Sequence, residues 1–223
     1  MGGEFTRPRF ATPAAINNPW LEIPLSDYEA HMALATVGQA EMLARQFETA
    51  LTAYAPRSVA VIGCAGGNGF ERVSAPETER LVGVDINPDY VAETSRRFAG
   101  LIPGLELYCA DIQRPLPEIA PVELVYAGLV FEYVDVAAAM ATIRSLCAPN
   151  GVLVSVLQLP SESIAVVSPS PFPSLRRLAP AMKLVPPSIL QAEAERAGFV
   201  HGSTEVIAPH SDKKFAVQAF TAV

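Results

Sequence analysis

The sequence predicts a doubly wound α/β sandwich: a mostly parallel seven-stranded sheet, helices on both faces, and an antiparallel hairpin at the carboxyl end. Three observations carry that expectation. From Ser58 onward, short apolar runs alternate five times with helical periods. The strand segments are apolar on both sides, as a sheet covered on both faces requires. The last two apolar runs, "TEVIAP" and "KFAVQAFTAV", flank a polar "HSDK", the mark of a hairpin.

The elements follow in order. Residues 1–19 are rich in Pro, Asn and small residues and are expected to form a loose tail. Residues 20–54 read as a helical cap. Within it Ser26 and Glu29 form a capping box at the start of a short helix bearing Tyr28 and His31. A second helix carries Met42, Leu43, Phe47 and Leu51 at helical spacing and stops before Pro56. Residues 55–223 make the α/β core. "SVAVI" is the first strand, and a helix is expected after the glycines that follow it. "RLVGVD" is a strand, and "PDYVAETSRRFAG" is a helix closed by Gly100. "LELYCADI" and "VELVYAG" are strands three and four. "DVAAAMATIRSL" is a helix with a Pro-Asn-Gly exit into the fifth strand, "VLVSVLQL". The Pro-rich residues 159–188 break the rhythm and read as a lid insertion over the open sheet edge. "SILQAEAERAGF" is the last helix. One domain spans residues 1–223.

Composition narrows the partners. The net charge is −7 and Lys and Arg cluster only in pairs such as Arg96-Arg97, Arg176-Arg177 and Lys213-Lys214. No basic stripe exists to displace phosphate counterions, so nucleic acid is not expected and a small-molecule substrate is. Cys64, Cys109 and Cys147 lack disulfide or zinc spacing, which suits a reducing cytoplasm. No apolar run reaches the ~20 residues of a membrane span, and "MGGEFTRPRF" lacks a signal-peptide core. A soluble cytoplasmic protein, monomer or homodimer, without a metal centre, is the expectation.

Ligands in such a sheet bind at the carboxyl ends of the strands, where strand order reverses. Four features fall there. In "GCAGGNG" the small residues Gly63, Ala65, Gly67 and Gly69 permit a sharp turn and close approach of a ligand, and a following helix would offer free N–H groups. Asp85 ends the second strand, where an acid accepts hydrogen bonds from both hydroxyls of a ribose. Asp111 ends the third strand, placed to accept from the exocyclic amine of adenine. "GLVFEY" follows the fourth. Together they describe an adenosine lying across the strand ends.

These residues resemble the class I S-adenosylmethionine-dependent methyltransferases, in particular the small-molecule type 11 group. "VAVIGCAGGNG", "VGVDINPDYV", "LYCADI", "LVYAGLVFEYV" and "LCAPNGVLVSV" are similar to successive motifs of that family, and the likeness spans about residues 37–223. The resemblance implies a Rossmann-like fold, S-adenosyl-L-methionine as cofactor and S-adenosyl-L-homocysteine as product. It also implies direct displacement onto a small-molecule acceptor. The cofactor contacts it implies are Gly63, Cys64, Ala65 and Gly67 in the turn and Asp85, Ile86 and Asn87 after the second strand. Asp111 and Ile112 follow the third strand, and Gly128, Leu129 and Tyr133 the fourth.

Two positions depart from the family pattern. Val61 stands where an acid is usual, and Ala65 where a glycine is usual. Loss of the acid leaves the cofactor's amino-acid end in need of another anchor, for which Tyr28, Gln39 and Glu132 are candidates. His31, Glu132 and Tyr28 are the candidate acid–base residues. His31 has the suitable unperturbed pKa, yet each also admits a purely structural reading. Arg176 and Arg177 would either clamp a carboxylate or form a solvated face. An NAD-binding oxidoreductase and a catalytically silent cofactor-binding module are the alternatives.

Overall fold

The structure, a computed structural model, describes residues 9–10, 18–73, 77–102, 104–161, 165–208 and 213–223. Its strands are β1 (Arg9–Phe10), β2 (Ser58–Ile62), β3 (Arg80–Asp85), β4 (Leu105–Cys109), β5 (Val122–Gly128), β6 (Cys147–Gln158), β7 (Phe199–Ile207) and β8 (Phe215–Ala222). They form one sheet in the order β1-β4-β3-β2-β5-β6-β8-β7. Only β8 runs against its neighbours, pairing antiparallel with β6 and β7. The seven longer strands are those the sequence predicts. The two-residue β1, parallel to β4, is an eighth, so Arg9–Phe10 are tied to the sheet edge rather than loose. The rest of that tail up to residue 17, and all but the last residue of the "HSDK" turn, lie outside the described residues.

Alternation along each strand sends side chains to two covered faces. Val59 and Val61 of β2 point to one, where α2 (Gln39–Tyr54) brings Leu43 and Phe47 and α3 (Pro88–Phe98) brings Val91. Ala60 and Ile62 point to the other, against Met140 and Ile143 of α4 (Val136–Leu146) and Leu190 of α5 (Pro187–Arg196). Phe47 is 1% exposed, and burying a side chain of that size stabilises by about 2–3 kcal/mol. The Tyr126 hydroxyl, buried on the same face, donates to Leu43 O at 2.9 Å and fixes α2 on β5.

Helix ends follow local chemistry where the chain supplies it. Pro88 opens α3, and Asn87 Oδ1 accepts from Asp89 N at 2.9 Å. Asp135 Oδ1 accepts from Ala138 N at 2.8 Å and caps α4. At α1 (Leu25–Met32) the expected capping box is absent. Pro24 holds the cap position without a side-chain bond, and Glu29 is drawn instead into an ion pair with Arg97 of α3.

The helix expected after the glycine turn is also missing. A single 3₁₀ turn, Phe70–Arg72, stands there. Gly69 has φ +86, and Phe47 and Ala44 of α2 fill the adjoining space against it. The Pro-rich insertion departs from expectation only in its place at the sheet edge. Its described residues lie instead over the carboxyl ends of the strands, beside the N-terminal cap: Leu175 and Leu178 bury themselves with Ile23, and Ser174 Oγ donates to Asp27 Oδ2 of α1 at 2.6 Å.

Candidate active site

Sheet order reverses between β2 and β5, and there a cleft of about 680 Å³, mouth included, opens over the strand ends. Gly63 and Ala65 leave β2 into it, Asp85 and Ile86 leave β3, Asp111 and Ile112 leave β4, and Gly128 and Leu129 leave β5. Tyr28, Tyr90, Tyr133 and Trp20 close its upper side. Asp85 and Asp111 thus face one space.

The Asp85 carboxylate is the hub of the lower wall. Its Oδ2 accepts from Ala65 N at 2.8 Å and its Oδ1 from Asn87 N at 2.9 Å, so it ties the glycine turn to the exit of β3. Each oxygen keeps a further lone pair for a ligand donor. Burial raises its pKa to about 6, against the pull of the backbone N–H groups of Asn87 and Ala65. Asp111 Oδ1 accepts from Gln113 N at 3.0 Å and Gln113 Nε2 at 3.2 Å, and Arg114 Nε lies 3.6 Å from Oδ2.

The turn itself is a Cys64–Gly67 bend with Gly67 N donating to Cys64 O at 2.8 Å. Ala65 adopts φ +46, a left-handed conformation held in place by Asp85. Leu129 also has positive φ (+57), so backbone strain sits on two sides of the cleft. Not every residue expected at the cofactor lines the cleft. Cys64 turns into the core among Phe70 and Leu107. Gly67 has φ +83 and lies under the Phe98 ring. Asn87 caps α3 and donates through Nδ2 to Trp20 O at 2.7 Å. These three shape the wall. With only a 3₁₀ turn after the bend, the expected anion site at a helix N-terminus is absent as well.

A second cavity of about 490 Å³ adjoins the cleft, and Trp20, Tyr28, Leu129 and Tyr133 belong to both. Trp20 packs edge-on against Tyr28 (centroids 5.3 Å apart) and Tyr133 (5.0 Å), making an aromatic partition. Burial pushes both phenol pKa values well above their usual range, so they remain donors. His31, Gln39, Gln158 and Lys213 line the far part. His31 is 6% exposed, its Nδ1 has no hydrogen-bond partner among the described residues, and burial and the nearby Lys213 charge lower its pKa.

Glu132 lines neither cavity. It is 1% exposed; Oε1 accepts from Gln158 N at 2.8 Å, Oε2 has no partner among the described residues, and burial raises its pKa to about 7. That position suits a brace between the β5 exit and the end of β6, the structural reading the sequence left open, rather than the candidate base or cofactor anchor. Of the three anchor candidates only Tyr28 reaches the cleft; Gln39 lies in the second cavity. Arg177 pairs with Glu22 on the surface and Arg176 is exposed. Sequence reasoning missed Tyr90, Gln113 and Asn18 in the cleft and Gln158 and Lys213 beyond it. Tyr90 and Gln113 sit within five residues of Asp85 and Asp111, and that closeness is the signal that could have found them.

The cleft's residues fit an adenosyl group on their own chemistry. A carboxylate with spare lone pairs suits vicinal hydroxyls, a second carboxylate suits an amine, and Ile86 and Ile112 give apolar walls. Gly63, with φ +66, keeps the floor bare.

Comparison with known proteins agrees. Residues 60–155 match the family described as a methyltransferase domain. No curated protein matches the chain. The fold is similar to the N-methyltransferase NodS from Bradyrhizobium japonicum WM9 in complex with S-adenosyl-L-homocysteine. That match has TM-score 0.64 and 17% identity and covers 89% of this chain and 97% of that one. It is also similar to the [4+2]-cyclase SpnF, with TM-score 0.68, 14% identity and 91% and 93% covered. Magnesium protoporphyrin IX methyltransferase (ChlM) from Synechocystis PCC 6803 with bound S-adenosyl-L-homocysteine aligns with TM-score 0.61, 14% identity and 84% of each chain. The fold is that of the class I S-adenosylmethionine-dependent methyltransferases. Residues 60–155 are similar to a methyltransferase domain, and two of the proteins that share the fold hold S-adenosyl-L-homocysteine.

Proposed function

We propose that the protein transfers a methyl group from S-adenosyl-L-methionine, held in the cleft, to a small-molecule acceptor held in the second cavity. The observation that carries this reading is the pair of cavities meeting at one aromatic partition, with Asp85 and Asp111 on the outer wall of the first. Asp85 holds the ribose hydroxyls and Asp111 the adenine amine. Tyr28 lies at the inner end, toward the amino-acid portion. The cofactor supplies a sulfonium methyl whose C–S bond breaks as the acceptor's lone pair forms the new bond, leaving S-adenosyl-L-homocysteine.

The chain's own residues align and enclose. Trp20, Tyr28, Tyr133 and the insertion over the strand ends exclude water from the partition, which favours near-attack geometry. Should the acceptor atom carry a proton, His31 is the group in the second cavity with a basic nitrogen available at neutral pH. Calorimetric titration with S-adenosyl-L-homocysteine and with NADH tests the cofactor. Micromolar binding of the first and none of the second is expected, and NADH binding alone would overturn the reading. Labelled methyl transfer into a small-molecule extract then tests the activity.

A further inference from the structure

Asp111 is held from one side. Its Oδ1 accepts twice from Gln113, from the backbone N at 3.0 Å and from Nε2 at 3.2 Å. A carboxylate oxygen offers two lone pairs, so Oδ1 is filled. Among the described residues Oδ2 meets only Arg114 Nε, 3.6 Å away on a side chain that is 59% exposed. Oδ2 is therefore the oxygen left for a ligand donor. What sets Gln113 is the start of α4. The Asp135 N–H donates to Gln113 Oε1 at 2.8 Å, and the Asp135 side chain caps α4 through Ala138 N. A backbone N–H can only donate, so the amide oxygen of Gln113 must face Asp135 and its NH₂ must face Asp111. Gln113 and Asp111 both line the cleft. One side-chain amide thus ties the cleft's second acid to a helix end.

We infer that Gln113 is a positioning residue: it holds the Asp111 carboxylate so that Oδ2 meets the base of the cofactor, and so selects a purine bearing an exocyclic amine over one bearing a carbonyl there. This rests on the proposed function, which places the adenine amine at Asp111. An acceptor locked in place rewards a donor and rejects a second acceptor. A carboxylate free to turn toward water and Arg114 gives up part of that discrimination.

The probes are S-adenosyl-L-homocysteine and S-inosyl-L-homocysteine, which differ only in the amine or carbonyl on the six-membered ring of the base. Each is titrated by calorimetry into wild type, Gln113→Met and Gln113→Asn. Methionine keeps the length of the side chain without its amide. Asparagine keeps the amide but is too short to span Asp111 and Asp135 together, and at a half-buried position it offers a second variant should the first fold poorly. Wild type is expected to prefer the adenosyl compound by at least about 30-fold, and both variants by less than about fivefold. Support of α4 alone would alter melting temperature and weaken both compounds alike, leaving their ratio unchanged. Equal binding of the two by wild type, or a ratio that survives in a folded variant, overturns the inference while leaving the cofactor reading intact. If wild type binds neither compound, the cofactor reading falls and the inference falls with it.

Discussion

The two cavities are neighbours of unlike construction. The cleft is built from four consecutive strand exits, each contributing a short run of sequence: Gly63–Ala65, Asp85–Ile86, Asp111–Ile112 and Gly128–Leu129. The second cavity gathers His31 from α1, Gln158 from the end of β6, Val166–Ser168 and Met182 from the insertion, and Lys213 from the chain before β8. Backbone geometry makes the first, and side chains far apart in sequence make the second. A ligand common to a superfamily can be held by the former, and a ligand particular to one protein by the latter.

The difference has consequences that separate the two. Asp85→Asn carries the largest. It replaces an acceptor of hydroxyl and backbone hydrogen bonds with a group that is half donor. We expect S-adenosyl-L-homocysteine affinity to fall about 30-fold or more in calorimetry, a loss of about 2 kcal/mol. Titration of the same carboxylate sharpens the point. Its pKa is about 6 in the free protein, and ribose hydroxyls favour its charged form. Affinity is therefore level above that pH and falls up to about tenfold per pH unit below it, whereas Asp85→Asn is flat. A wild-type affinity that does not change between pH 7 and pH 5 would break the assignment.

The glycine turn gives an intermediate effect, on stability. Gly67→Ala places a Cβ 2.5 Å from the Phe98 ring at φ +83, and we expect a loss of about 2 kcal/mol in denaturant unfolding. Gly66→Ala meets the flexible ends of Glu29 and Arg97 without a positive φ, so a half-buried ion pair moves aside and less than about 1 kcal/mol is lost. Reversal of that order would show that the ion pair, not the bend, holds the turn.

The smallest effect on ligands belongs to Glu132→Gln, which should leave S-adenosyl-L-homocysteine affinity within twofold of wild type. Its signature lies in stability. The folded carboxyl keeps its proton up to about pH 7, above the unfolded value of 4.5, so wild-type stability is lost as pH rises through that window. Glu132→Gln removes this contribution, and its melting temperature should rise relative to wild type between pH 5 and pH 8. A loss of cofactor binding would instead return Glu132 to the site.

Legibility in the sequence follows the same division. The strand segments, the final hairpin and the places of Asp85 and Asp111 at strand ends were all readable, because a strand's last residue and the turn after it are local features. The helix expected after the glycines was not, because Gly69 and the packing of Phe47 and Ala44 from α2 decide that segment. The Ser26–Glu29 box failed for a related reason: Arg97, 68 residues away, outbids a backbone N–H for the Glu29 carboxylate. Lys213 could not have been found in any window, since only the fold brings it to His31.

Trp20 is the one tryptophan in the chain, and it stands in the partition between the cavities. Its indole emission is therefore a built-in reporter: filling either chamber changes the polarity and the quenching groups around a single fluorophore. Occupancy of each site, and the order in which two ligands enter, can be followed by unlabelled stopped-flow fluorescence.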